Sequence, residues 1–256
     1  MKTIKLGITL CVLWFLSGGC KDKLIVNKCK LSYDQGDVLY LSSANTPAIP
    51  SVDPNARGVF AADPDGLSID QNTGYIDINN SATGQKYLVK YISLDNNQIC
   101  ETFITISGVR YTAGVYNRST ANSLVVNPIY NANSDSRLPS GNFQGGRNQQ
   151  GVIVLPEVTA ADGSIDLKGV NLNRLFSQSG TIRDGSEVQV TIPFSLNDDS
   201  GGIQNQVTLN FIYYNAQSSI PEALLAEIKE QQEETRGGRI NGEKNHRPPG
   251  VIVTEK

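Results

Sequence analysis

Residues 67–91, LSIDQNTGYIDINNSATGQKYLVKY, alternate apolar and polar side chains almost without interruption. The alternation breaks only at Asn72-Thr73-Gly74 and at Thr83-Gly84. A period of two sends successive side chains to opposite faces of a strand, so one face meets a core and the other meets water. Glycine allows the positive φ of a tight turn, and Asn beside it tolerates the same region. Nothing in the stretch looks like catalysis. The pattern is architecture.

The same period runs outward from it. KYLVKYIS (86–93) and ICETFITIS (99–107) are rich in β-branched and aromatic residues, with Asp95-Asn96-Asn97 as turn chemistry between them. SEVQVTIPFSL (186–196) spaces Val188, Val190, Ile192, Phe194 and Leu196 by two, and QVTLNFIYY (206–214) does so with Val207, Leu209, Phe211 and Tyr213. Asn197-Asp198-Asp199-Ser200-Gly201-Gly202 suits the hairpin loop joining them. These strands fit antiparallel sheets. Pro193 has no N–H for a ladder, which predicts an edge strand or a bulge there.

Two phrases answer each other. Thr73-Gly74-Tyr75-Ile76-Asp77-Ile78 precedes the strand pair 86–107, and Asp162-Gly163-Ser164-Ile165-Asp166-Leu167 precedes the pair 186–214. A turn glycine followed by a short Ile-Asp strand, twice and each time upstream of a long hairpin, predicts two copies of one sandwich unit. The stretch GVFAADPDGLSIDQNTGYIDINNSATGQKYLVKY resembles the immunoglobulin-like repeats of Bacteroidota surface proteins, including gliding-motility-type adhesins. The resemblance lies in Gly58, Phe60, Pro64, Gly66, Leu67, Ile69, Thr73, Gly74, Ile76, Asp77, Gly84, Tyr87, Val89 and Tyr91. It covers residues 24–108 well; over 109–218 it rests on the Asp-Gly-x-Ile-Asp phrase and the hairpin after it. It implies a fold and a location far more than a molecular task.

The N-terminus reads as an export signal. Lys2 and Lys5 precede the apolar run Ile8 to Leu16 and the small residues Ser17-Gly18-Gly19. That run is short of the roughly 20 residues of a membrane span. Cys20 and Lys21-Asp22-Lys23 follow, and the whole resembles a bacterial lipoprotein signal in which the cysteine becomes the lipidated N-terminus. Leu16 stands four residues before the cysteine, where the usual pattern has leucine at three. The alternative is an ordinary secretory signal with Cys20 incidental.

Removing residues 1–19 takes two lysines and no acids, moving the net charge from −3 to −5. Such a chain lacks an electrostatic footprint for nucleic acid. Trp14 and Met1, each the sole residue of its type, leave with the signal. Of the four cysteines Cys11 leaves as well, so Cys29 and Cys100 remain beside Cys20. Outside the cytoplasm such a pair is most simply a disulfide; two buried thiols are the alternative.

A hydrolase triad needs a base, and the single histidine, His246, sits in a polar tail. Zinc-ligand spacing, a phosphate-binding Gly-Lys loop and a dinucleotide fingerprint are missing, so no catalysis is expected. No cofactor is expected either. Calcium is the best small ligand, through Asp63-Pro64-Asp65-Gly66 or Asp198-Asp199, but turn-forming aspartates are the favoured reading. Carbohydrate binding would rely on Tyr111, Tyr116 and Tyr130, which serve equally to pack a domain boundary.

Residues 131–150, NANSDSRLPSGNFQGGRNQQ, read as a long polar loop, with Arg137, Leu138, Phe143 and Arg147 the candidate partner contacts. Ser219 as N-cap, Pro221 in the first turn and Glu222 begin a helix whose stripe is Leu224, Leu225 and Ile228 and whose end is Arg236-Gly237-Gly238. The remainder reads as disordered, although Val251-Ile252-Val253 could add a strand to a partner sheet.

The expected architecture is all-β: a signal over 1–19, a lipid-anchor linker over 20–23, and tandem immunoglobulin-like β-sandwiches over 24–108 and 109–218. A helix over 219–236 and a flexible tail over 237–256 complete it. The expected role is protein–protein interaction as a surface-exposed outer-membrane lipoprotein, an accessory subunit held by its lipid beside an outer-membrane protein. The alternative is a cell-surface adhesin or a glycan-binding lipoprotein of a nutrient-uptake system.

Overall fold

The computed structural model describes residues 29–53, 55–120, 124–177, 179–237 and 248–256, without the side chains of 234–237. The leader expected over 1–19, Cys20 and His246 lie outside these residues. The described chain is mostly β-strand in several sheets, sandwich-like, with few helices.

The first unit holds β1 (Cys29–Lys30), β2 (Val38–Leu39), β3 (Gly58–Asp63), β4 (Gln85–Ser93) and β5 (Ile99–Ile106). Its sheet runs β1-β5-β4-β3, with β2 also on β5. The hairpin pairs are antiparallel, as the sequence predicts, but β1 and β2 lie parallel to β5. A facing layer is made of single bridges: Tyr33 to Pro50, Ala48 to Ile76, and Ile69 to Ile76. Tyr33, Phe60, Ile76, Tyr87, Val89, Ile104 and Ile106 fill the space between the layers. A disulfide joins Cys29 of β1 to its register partner Cys100 of β5, with Cα atoms 4.7 Å apart and 71 residues of separation. Closing so long a loop stabilises the fold by about 4 kcal/mol on chain-entropy grounds.

The second unit begins with β6 (Val109–Tyr111), β7 (Gly114–Asn117), β8 (Val125–Val126) and β9 (Pro128–Tyr130). It continues through β10 (Gly141–Phe143), β11 (Gly146–Arg147), β12 (Ile153–Leu155) and β13 (Ile165–Asp166). A short helix α1 (Leu172–Leu175) leads into the long hairpin of β14 (Ser186–Leu196) and β15 (Asn205–Tyr214). Helix α2 (Glu222–Gly237) and β16 (Gly250–Thr254) complete it. Its large sheet runs β12-β11-β14-β15-β16-β7, with β10 also on β14.

The two units share one construction around the turn glycine. Tyr33 bridges Pro50 in the first, and Tyr111 pairs with Pro128 in the second. Ile69 bridges Ile76, and Val158 bridges Ile165. The turn glycine of each phrase takes positive φ, 73° at Gly74 and 70° at Gly163. Each glycine lies flat on a phenylalanine ring: an added Cβ would come within 2.5 Å of Phe60 at Gly74 and 2.6 Å of Phe143 at Gly163. Each glycine carbonyl accepts a tyrosine hydroxyl, Tyr33 at 3.0 Å and Tyr111 at 2.6 Å. Each phenylalanine N–H donates into the turn at 2.8 Å, to Gln71 or Ala160. Phe60 then packs, tilted, against Tyr91 (4.8 Å between ring centroids) and Phe143 stacks on Phe194 (5.5 Å).

Several expectations change. The segment 131–150 is not one loop, because β10 and β11 lie within it. Phe143 is 2% exposed, so it is a core residue and cannot face a partner. Pro193 is in an interior strand, not at an edge, and the bulge is the half of the expectation that holds. Four steps from Phe143 to Arg147 oppose three from Phe194 to Thr191, and the carbonyl of Pro193 accepts from Gln144 N, so its missing N–H faces that irregularity. Helix α2 starts later than the capping pattern predicts. Ser219 belongs to a 3₁₀ turn over Gln217–Ser219, and Pro221 O accepts the first helical N–H groups, from Leu224 and Leu225. The predicted stripe of Leu224, Leu225 and Ile228 does face the protein, over Ile212, Tyr214 and Ile252.

The largest correction is the tail. Residues 250–254 form β16, parallel to β15 on one side and to β7 on the other, with all five residues buried. Val251 and Val253 enter the main core, while Ile252 sits under α2. A strand covered on both faces reads as a continuous apolar run, which is why Val-Ile-Val carries no alternation.

Gly74→Ala and Gly163→Ala should each destabilise the protein by about 2–4 kcal/mol, from positive-φ strain plus overpacking against the ring. Gly151 has φ +79° and open space around it, so Gly151→Ala should cost only about 1–2 kcal/mol. Urea midpoints check the difference. Asp70 accepts from the N–H groups of Asn72 and Thr73, and these bonds, Thr73 first, hold its carboxyl below the usual range. A depressed native value gives stabilisation that is present above about pH 4 and lost as pH falls through that value. The stability difference between wild type and Asp70→Asn should therefore shrink between pH 7 and pH 2.

Candidate functional site: the outer face of the first sheet

The internal repeat supplies a control for every surface position. The aromatic pairs Phe60–Tyr91 and Phe143–Phe194 align β3, β4 and β5 with β10, β14 and β15. Leu88 then corresponds to Thr191, Phe103 to Thr208, Ile92 to Ser195 and Val59 to Asn142. In the second unit the outward rows are polar: Thr191 and Thr208 lie opposite each other with hydroxyls 3.0 Å apart, and Asn142 lies opposite Ser195. In the first unit the same rows are apolar. Leu88 pairs with Phe103, and Val59, Ile92 and Ile99 form a row across the sheet.

This face is open to solvent. Phe103 is 45% exposed, and Val59 and Ile99 are also exposed. Lys86 stands over the Phe103 ring at 4.7 Å, and Lys90 pairs with Glu101 at 3.5 Å. Both contacts are at the surface, where each contributes no more than about 1 kcal/mol. The result is two apolar rows, Leu88–Phe103 and Val59–Ile92–Ile99, with the Lys90–Glu101 pair between them and Lys86 beyond Leu88, carried on three strands of a disulfide-stapled sheet. Such a surface offers apolar area to a partner on either side of a central ion pair.

The four candidate contacts of 131–150 do not form one surface. Arg137 is exposed, Phe143 belongs to the second core, and Leu138 is half-buried against it. Arg147 is half-buried in β11 and donates to Gly151 O at 3.1 Å. The tyrosines weighed for carbohydrate are not platforms. Tyr111 is fully buried, Tyr116 donates to Thr112 O at 3.2 Å, and Tyr130 is 9% exposed. Tyr130 instead sits at the boundary between the units, where it and Ser107 donate to Asp198 Oδ2 at 2.9 and 3.1 Å. Burial, reinforced by Asp198, pushes its phenol above the ordinary range. Asp198 also accepts from Ser200 through Oδ1, so its carboxylate is spent on the hairpin and the boundary. Asp63 ends β3, and burial, with Asp65 adding to it against Lys90, raises its carboxyl above the usual range.

Sequence reasoning passed over Val59, Leu88, Ile92, Ile99 and Phe103, although the signal was present. In 86–93 the inward set is Tyr87, Val89 and Tyr91, which leaves Leu88 and Ile92 apolar on the water face. Among the described residues no group of three or more His, Cys, Asp or Glu side chains comes together, and no helix is long and apolar enough to cross a membrane. Compared with protein-family models and with curated proteins, the chain matches none.

The double variant Leu88→Thr/Phe103→Thr copies the second unit's solution. It should shift folding stability by less than about 1 kcal/mol, as measured by urea midpoint, because threonine suits an exposed strand pair.

Proposed function

We propose that the protein is a non-catalytic, surface-exposed outer-membrane lipoprotein of two immunoglobulin-like units that works through protein–protein interaction. In this reading Cys20 carries the lipid, and the outer face of the first sheet docks an outer-membrane protein to which the chain is an accessory subunit. The observation that carries the reading is the asymmetry of the repeat. One frame bears Thr-Thr and Asn-Ser pairs in one copy and Leu-Phe and Val-Ile pairs in the other, so the fold does not require the apolar set.

Tether and surface suit each other. From Cys20 to Cys29 is nine residues, which reach at most about 32 Å when fully extended. The first unit would then stand close to the bilayer, within range of an integral partner's exposed portion. An exposed apolar face of this kind is a solubility liability unless something uses it.

The test is mild-detergent extraction of the tagged full chain from its native membranes, beside Cys20→Ala and Leu88→Thr/Phe103→Thr. Wild type should bring down one outer-membrane protein in stable ratio, and both variants should lose it while remaining folded. Wild type recovered alone, with protease reaching it on intact cells, would overturn the accessory-subunit reading and leave adhesion or glycan binding.

A further inference from the structure

In the first unit β2 lies directly against β5, with Leu39 opposite Ile106. The aligned place in the second unit belongs to β7, yet β16 stands between β7 and β15. The repeated frame therefore closes without a strand at this point. In the second unit a segment from beyond α2 has been added to it.

The slot is selective along its length. Gly250 passes so close beneath α2 that a Cβ would come within 2.4 Å of Ile228 Cδ1, and its N–H donates to Gln231 Oε1 at 2.9 Å. Val251 and Val253 fill one face and Ile252 the other. Beyond the strand, Arg118 donates from its backbone N to Thr254 O at 2.9 Å and pairs through its guanidinium with Glu255 at 2.9 Å. Both edges of the segment are laddered, and the side chains on both of its faces are packed. Those are the ingredients of strand addition, where main-chain bonds supply affinity and alternate pockets supply selectivity.

We infer that this slot also accepts residues 248–256 of a second copy of the chain, so that copies associate by exchanging β16. The occupant follows from the fit: every copy carries both the segment that matches the slot and the slot that matches the segment. Between α2 and β16 run the twelve residues 238–249, a contour of at most about 43 Å. A strand held in its own chain competes at an effective concentration on the order of millimolar, so exchange belongs where copies are crowded. The inference stands apart from the docking face, since β16 and the first unit's outer rows share no residue.

Val115 and Ile252 are register partners on β7 and β16, and both belong to the layer under α2. Two full-length chains with different tags, one Val115→Cys and one Ile252→Cys, are to be co-expressed in the native host and oxidised. Exchange predicts a disulfide-linked heterodimer well above that from Val115→Cys paired with Leu94→Cys, a 63% exposed control on another face. The double variant in a single chain reports closure of the slot by its own strand. An intrachain bond in that variant without heterodimer in the mixed pair would overturn exchange. Absence of both bonds would overturn the slot itself.

Discussion

Everything in this protein hangs on a glycine pressed against a phenylalanine ring. At Gly74 and again at Gly163 the backbone turns with positive φ directly over Phe60 or Phe143, at a distance no side chain could share. The contact is not local. The ring comes from an outer strand of the sheet, β3 or β10, the glycine from the facing layer, and a tyrosine from a third segment donates to the glycine carbonyl. A polar group buried there without a partner would cost about 1–3 kcal/mol, so the tyrosine is part of the joint rather than an ornament to it. Ring, turn and hydroxyl fix the distance between the layers, and the core residues fill what that distance leaves.

On this shared frame the two copies diverge where the frame is indifferent. The first unit uses a disulfide to fasten β1 to β5. The second adds a helix and a strand, and they alter the chemistry of the strands they touch. The end of β15, where Ile212 and Tyr214 lie beneath α2, is buried on both faces, whereas most of β4 alternates. The boundary is held by the β14–β15 hairpin, through Asp198 to Ser107 and Tyr130, Thr83 to Asn205, and Ile203 against the first core. Glycine matters here as well, since a Cβ on Gly84 would meet the Val109 carbonyl carbon at 2.4 Å.

Divergence of the water-facing rows is what gives the proposed interaction surface its meaning. Exposed apolar side chains are ordinary on any protein, and Phe103 alone would decide nothing. The internal copy changes that, because Thr191 and Thr208 show that the frame accepts a polar pair at the same place.

The amino-acid sequence by itself determined the strands 86–93, 99–107, 186–196 and 206–214, their hairpin turns, the turn glycines and the pairing of the two phrases. All of these are local: a period of two and a positive φ are written within a few residues. Tertiary structure alone decided that Phe143 is core, that β16 threads between β15 and β7, and that Leu88, legible as water-facing from its own strand, lies opposite Phe103. Val251-Ile252-Val253 looks the same whether it lies in water or between two strands, because a run without alternation carries no sign of what covers it. Burial is set by the neighbour across the ladder, and that neighbour comes from a distant part of the chain.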